Sequence, residues 1–209
     1  MKKIVMILFA LALIVGSCGQ ATKQQSKPDN TESIVDFESK ENPIQMRENH
    51  LIRENGVDIF LIGKQVPFNA ESYTIKKEFI QFEEGIEEPI YDVFKSEQKV
   101  FRIRPDYDYD TEQHTDKIFA ITIFSSEFKT AEGIGVGSNI EDFVKTYPHF
   151  KVWYSYIGGQ YWIEAEQHKS IRFILDEKDY LKEIEFDSDL TEIQLSDFKN
   201  QSKIIGIGI

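Results

Sequence analysis

The chain reads as an α+β fold of antiparallel β-sheet modules, each with a short helix packed on one face and duplicated in tandem. Three observations predict it. Short segments rich in Val, Ile, Tyr, Phe and Trp alternate apolar with polar positions, as half-buried antiparallel strands do. The dipeptide Gly158-Gly159 separates two such segments and readily takes the positive φ angles of a two-residue hairpin turn. Ile140, Phe143, Val144 and Tyr147 have the i, i+3, i+4, i+7 spacing of a short amphipathic helix, which Pro148 ends.

The N-terminal stretch is MKKIVMILFALALIVGSC. Lys2 and Lys3 form a basic start, Ile4 to Val15 an unbroken apolar run of twelve, and Gly16 and Ser17 are small residues before Cys18. The run is shorter than the twenty or so residues a membrane span needs and suits a secretory signal. It resembles the bacterial lipoprotein signal, whose lipobox is here Val15-Gly16-Ser17-Cys18. The resemblance implies cleavage after residue 17 and lipidation of Cys18, the sole cysteine of the chain. Two or three acyl chains there would give a stable membrane anchor. It also implies a bacterial cell envelope location, and the outer membrane, facing the periplasm, is the expected one.

Cleavage leaves 192 of the 209 residues, and loss of two of the 24 basic side chains leaves 22 against 36 acidic ones, a net charge of −14. Such a surface is a poor partner for nucleic acid or anionic lipid headgroups. Residues 18–49 are rich in Gln, Lys, Ser, Asn and Glu and read as a flexible tether. About thirty such residues span roughly 30 Å root-mean-square. The folded part then divides into a first module, 50–129, and a second, 130–209.

The expected strands of the first module are Tyr91 to Phe94, Val100 to Ile103 and Ile118 to Phe124. In the second, Val152 to Ile157 and Gln160 to Ala165 flank the Gly-Gly turn, and Ser170 to Leu175 pairs with Leu181 to Phe186 around the charged turn DEKD. Tyr91 to Asp106 can be laid over Tyr161 to Asp176, with Tyr91/Tyr161, Lys99/Lys169, Arg102/Arg172 and Asp106/Asp176 identical. Upstream, Ile62 to Phe68 echoes Val136 to Phe143. A repeat of this length is a whole small module. With its helix start of the form G-[ST]-x-x-[DE]-[FV], the arrangement looks like the fold shared by the beta-lactamase inhibitor protein and the small lipoproteins of the outer-membrane assembly machinery.

Gly133, Gly135 and Gly137 suggest a phosphate loop, but the chemistry is missing. The G-x-G-x-x-G spacing needs glycine where Ser138 stands, and no lysine follows Gly137. Ser138 and Glu141 instead have the S-x-x-E spacing of a capping box. No nucleotide is therefore expected there. Asp106, Asp108 and Asp110 open like a calcium loop, but Thr111 stands where the turn glycine belongs and Lys117 where the chelating glutamate belongs. His50, His114, His149 and His168 are scattered without the i, i+4 pairing of a zinc helix, and no G-x-S-x-G elbow is present. No metal, cofactor or catalytic residue is expected.

The aromatic residues around the Gly-Gly turn carry the remaining signal. A two-residue turn places Tyr156 opposite Tyr161 and Tyr154 opposite Ile163 on one face, with Trp153, Ser155 and Trp162 on the other. Ser155, Gln160 and Glu164 accompany the tryptophans, so Trp153 and Trp162 are the candidate binding residues. The reading is a non-catalytic lipoprotein, a binding or scaffold module for another envelope protein or polymer, with a small envelope hydrolase as the alternative.

Overall fold

The computed structural model describes residues 50–81, 85, 87–184 and 188–209. The signal at 1–17, the tether at 18–49 and Cys18 lie outside them. Three two-residue strands, β1 (Ile52–Arg53), β2 (Gly56–Val57) and β3 (Phe60–Leu61), form a small sheet of their own. The main sheet is built from β4 (Thr74–Gln81), β5 (Glu87–Lys95), β6 (Gln98–Asp108), β7 (Gln113–Ile123), β8 (Phe150–Ser155), β9 (Gln160–Ala165), β10 (His168–Leu175), β11 (Leu190–Ile193) and β12 (Ile204–Gly208). Helix α1 (Ile140–Thr146) lies between β7 and β8 in sequence.

Its strand order is β11-β8-β9-β10-β12-β7-β6-β5-β4, every pairing antiparallel. Two meanders thus meet along β12, which pairs with β10 on one side and with β7 on the other. The coarse expectation of an α+β fold on antiparallel sheet holds. Segments 50–129 and 130–209 contribute to one continuous sheet, joined where Ile207 pairs with Ile123.

The core lies on one face. Val93, Phe101, Ile103, Ile121 and Ile123 supply it from one meander, and Val152, Ile163, Phe173 and Ile207 from the other. Over the first meander, Phe60 from β3 meets Phe101 with ring centroids 5.4 Å apart, and Phe128 meets Phe101 at 4.7 Å. Over the second, Phe143 of α1 stands 4.9 Å from Phe173, with Tyr147 at 5.9 Å from the same ring. Val144, predicted on the buried stripe, is instead exposed. Residues 62–68, aligned with the helix start in the repeat, form turns and no helix.

The glycine run is explained by backbone geometry. Gly133 and Gly137 have φ of 88° and 85°, the left-handed region that favours glycine. A Cβ on Gly135 would lie 2.4 Å from the Phe128 carbonyl oxygen. The predicted capping box is not formed. Ser138 precedes the cap position, and its Oγ accepts the Gly135 N–H at 3.1 Å; Asn139 occupies the cap without a side-chain hydrogen bond. The chain entering α1 is held instead by backbone bonds to the approach of β12, Ile140 N–H to the Ser202 carbonyl and Ile204 N–H to that of Ser138.

The β8–β9 hairpin also differs from the predicted register. Ser155 pairs with Gln160, so the connection is the four residues Tyr156 to Gly159, and Tyr154 faces Tyr161 while Trp153 faces Trp162. The reason is local and distant at once: Ser155 Oγ accepts the Gly158 N–H at 3.1 Å, and Tyr156 N–H donates to the Asp189 carbonyl at 3.0 Å. A slip of two residues keeps the side chains that stay in the strands on their faces, since these alternate with period two, while Tyr156 moves into the connection and is exposed. DEKD is likewise not a hairpin turn. Glu177–Asp179 forms a 3-10 turn with Asp176 Oδ1 accepting the Lys178 N–H, and the strand that pairs with β8 is Leu190–Ile193. Residues 181–184 carry no strand.

Candidate functional site on the outer face of the sheet

Directly paired residues of antiparallel strands project to the same face, so the registers define what the sheet presents away from the core. One row runs Glu192–Trp153–Trp162–Ile174–Gly206 across β11, β8, β9, β10 and β12. The neighbouring row runs Lys151–Glu164–Arg172–Gly208–Thr122–Arg102–Asp92–Lys76 across eight strands, from β8 to β4. The first is largely apolar and the second alternates charge. Trp162 and Ile174 are buried, yet neither belongs to the core cluster.

Trp162 is the centre of the first row. It is only 5% exposed, and its Nε1–H has no hydrogen-bond partner among the described residues. An indole N–H left so costs about 1–3 kcal/mol, and buried Trp normally finds a partner for it. The Arg172 guanidinium lies over the ring, 4.8 Å from its centroid. Trp153 beside it is half-buried, with Lys151 Nζ 5.2 Å above its ring; Lys151 is also bonded to Glu192 at 2.9 Å. Both tryptophans therefore carry a cation on a face.

Arg102, three strands from Arg172, is held quite differently. Its Nε donates to Asp92 Oδ1 at 2.8 Å and a terminal nitrogen to Oδ2 at 3.1 Å, while Lys99 Nζ donates to Oδ2 at 3.2 Å. Burial alone would raise the Asp92 carboxyl, but the bonds from Arg102 and Lys99 outweigh it and hold the group below its ordinary range. Arg172 makes no ion pair among the described residues and is exposed. Between the two arginines the row holds only Gly208 and Thr122, about 14 Å of low floor at three strand spacings.

A second cluster involves a histidine. His168, at the start of β10, has Nδ1 2.8 Å from Glu54 Oε1 and Nε2 3.4 Å from Glu132 Oε2. Glu132 Oε2 also accepts the Tyr147 hydroxyl at 2.7 Å, and the Tyr147 hydroxyl oxygen lies 2.7 Å from Thr130 Oγ1. Burial, first, and the bond to Glu132 push the Tyr147 phenol well above its usual range. The cluster ties β10 to the β1–β2 turn, the glycine loop and α1. Both ring nitrogens of His168 thus lie against carboxylate oxygens.

Sequence reasoning placed Trp153 and Trp162 on the right face, but not the depth at which Trp162 sits nor Arg172 as its cover. The signal for Arg172 was present in the repeat, which aligns it with Arg102. For His168 the sequence offers only metal-ligand spacing as a guide, and its partners Glu54 and Glu132 lie too far along the chain for spacing to reveal. Among the described residues no group of His, Cys, Asp and Glu is placed to hold a metal ion, and no helix is long and apolar enough to cross a membrane.

No known protein family and no curated protein matches the chain. It is similar to a crystal structure of the uncharacterized protein yfeY from Escherichia coli, at 14% sequence identity and a TM-score of 0.46, with 76% of this chain and 97% of that one covered.

Proposed function

We propose that this chain is a non-catalytic lipoprotein of the bacterial envelope, anchored through Cys18 in the outer membrane and facing the periplasm, whose outer sheet face binds an envelope protein or polymer. One observation carries the binding reading: Trp162 lies outside the core, covered by an exposed Arg172 and holding an indole N–H without a partner among the described residues. Movement of the Arg172 side chain onto a ligand uncovers the ring and its donor together. Trp and Arg are the residue types that dominate binding hot spots. The trough over Gly208 and Thr122 leads away from this point toward Arg102, which suits an extended ligand.

The finer fold reading is a tandem duplication related to the beta-lactamase inhibitor protein module. It is supported by the matched places of β5–β6 and β9–β10. Tyr91 and Tyr161 both face the core, and Arg102 and Arg172 both face away from it, each against the residue at the same repeat position, Asp92 or Trp162. In the first module β1–β3 covers the core face that α1 covers in the second.

The alternative, a small envelope hydrolase, has the His168 cluster in its favour. The experiment compares the full chain with a Trp153→Ala, Arg172→Ala variant for retention of a partner captured from solubilised envelopes and then purified. At least about tenfold weaker retention, with an unchanged fold, is expected. Retention at full strength would overturn the binding face. Cys18→Ser should abolish lipid labelling and leave precursor; ordinary labelling would sink the anchor.

A further inference from the structure

The hairpin joining β6 to β7 carries a cleft of about 680 Å³ at the opposite end of the sheet from Trp162. Its rings are Tyr107, Tyr109, His114 and Phe119. Phe119 is there because of a bulge. Arg104 pairs with Ala120 and Pro105 with Ile118, so Phe119 is the extra residue of β7. Strict alternation from Ile123 and Ile121 would have sent it into the core; the bulge turns it out, 59% exposed. Tyr107 stands edge-on to Tyr109 at 5.1 Å and to its cross-strand partner His114 at 5.0 Å, so three rings meet at a corner.

The hairpin tip is rigidly made. Asp108 Oδ1 accepts the N–H groups of Asp110 and Thr111, which leaves Tyr109 standing 85% exposed. Among the described residues, the charges lining the cleft are Glu87, Glu88 and Asp106 against Arg104, three carboxylates to one guanidinium. Arg104 is itself drawn onto Glu88 at 3.3 Å. Aromatic faces carry negative charge density, and rings with carboxylates around them are the environment in which an organic cation is stabilised.

We propose that this cleft binds a lysine-type ammonium group presented by a basic peptide segment, seated against the rings of Tyr109, Tyr107 and Phe119 and neutralised by Glu88 and Asp106. The same excess of carboxylates repels the phosphate of a zwitterionic lipid headgroup, so a peptide is the source that fits. Arg104 is then an internal competitor, holding Glu88 until the ligand ammonium replaces it. This goes beyond the tryptophan face and does not depend on it.

The test is calorimetric titration of the full chain with tetralysine and with its fully Nε-acetylated form, which keeps the length and loses the charges. Binding of tetralysine, weakened by salt and by about tenfold or more on acetylation, is expected. Tyr109→Ala and Phe119→Ala should each weaken it by about threefold to tenfold while Tyr109→Phe retains it, because a phenyl ring keeps the π face. Arg104→Gln should tighten it by removing the competing cation. Each variant is checked for an unchanged melting curve, and Tyr109 is exposed enough that its truncation leaves the fold intact. Equal binding of the acetylated peptide, tighter binding of phosphocholine, weakening by Arg104→Gln, or no binding at millimolar peptide would each overturn the proposal.

Discussion

The guanidinium of Arg172 lies 4.8 Å from the ring centroid of Trp162, on the side of the sheet away from the core. Arg172 is exposed while the ring beneath it is buried. Arg172→Ala should move tryptophan emission to longer wavelength and lower stability by about 0.5–1 kcal/mol, the range for a cation over a ring at an exposed site. An unchanged spectrum and an unchanged denaturation midpoint would mean that the guanidinium does not shield the indole.

Trp153 and Trp162 share a face but not a depth, so single substitutions separate them. Trp162→Ala should cost about 3–5 kcal/mol, as for other large buried aromatics, whereas Trp153→Ala should cost much less. Denaturant melts decide it. Similar costs would mean that the two rings are equally packed.

Asp92 makes stability depend on pH in a definite direction. Its folded carboxyl lies below the ordinary value of 3.8, so the stability it contributes is fully present above that value and is lost as pH falls through the lower folded one. Asp92→Asn should lose about 1.5–3 kcal/mol at neutral pH through its charged hydrogen bonds. The difference from wild type should shrink in melts below pH 3.8. A difference constant across that window would rule out an ion pair as its origin.

At the helix start two neighbouring hydroxyl or amide residues should behave unequally. Ser138→Ala removes the acceptor of the Gly135 N–H and should cost about 1 kcal/mol. Asn139→Ala removes no side-chain cap bond and should lie within about 0.5 kcal/mol of wild type. A reversed order in chemical denaturation would restore a side-chain cap at residue 139.

Glycines divide in the same way. Gly135→Ala forces a Cβ to 2.4 Å from a backbone oxygen and should destabilise strongly, by more than about 2 kcal/mol, since backbone must move. Gly158→Ala comes no nearer than 3.3 Å to a neighbour, the Ser155 hydroxyl, and should be tolerated. Comparable melting temperatures for the two would show that the loop around Gly135 can yield.

The faces of the β8–β9 hairpin were legible because alternation survives a two-residue slip, and the helix was legible because Ile140, Phe143 and Tyr147 form a clear stripe. The register was not, because it is set partly by the Asp189 carbonyl, which reaches Tyr156 from a distant strand. β4 is not legible because TIKKEFIQ, at the sheet edge, carries no buried position. β12 was missed because two glycines interrupt its apolar pattern; both lie on the outer face, where Gly206 gives Ile174 room. The bulge that turns Phe119 outward leaves no mark in the sequence, since PDYDYDTEQH and KIFAITIF read equally well in either register. The candidate residues Trp153 and Trp162 thus follow from a local rule, whereas Arg172 over Trp162 is marked only by its match with Arg102 in the repeat.

β12 follows β4 to β11 along the chain but occupies the seam between the two meanders. Neither β7 nor β10 can complete its hydrogen bonding until residues 204–208 have been made, so each half waits with an open inner edge. Assembly by such a late, sequence-distant strand is slow and all-or-none in character. A polypeptide wired this way stays uncommitted while it is still being made and closes into a single sheet only when the keystone arrives.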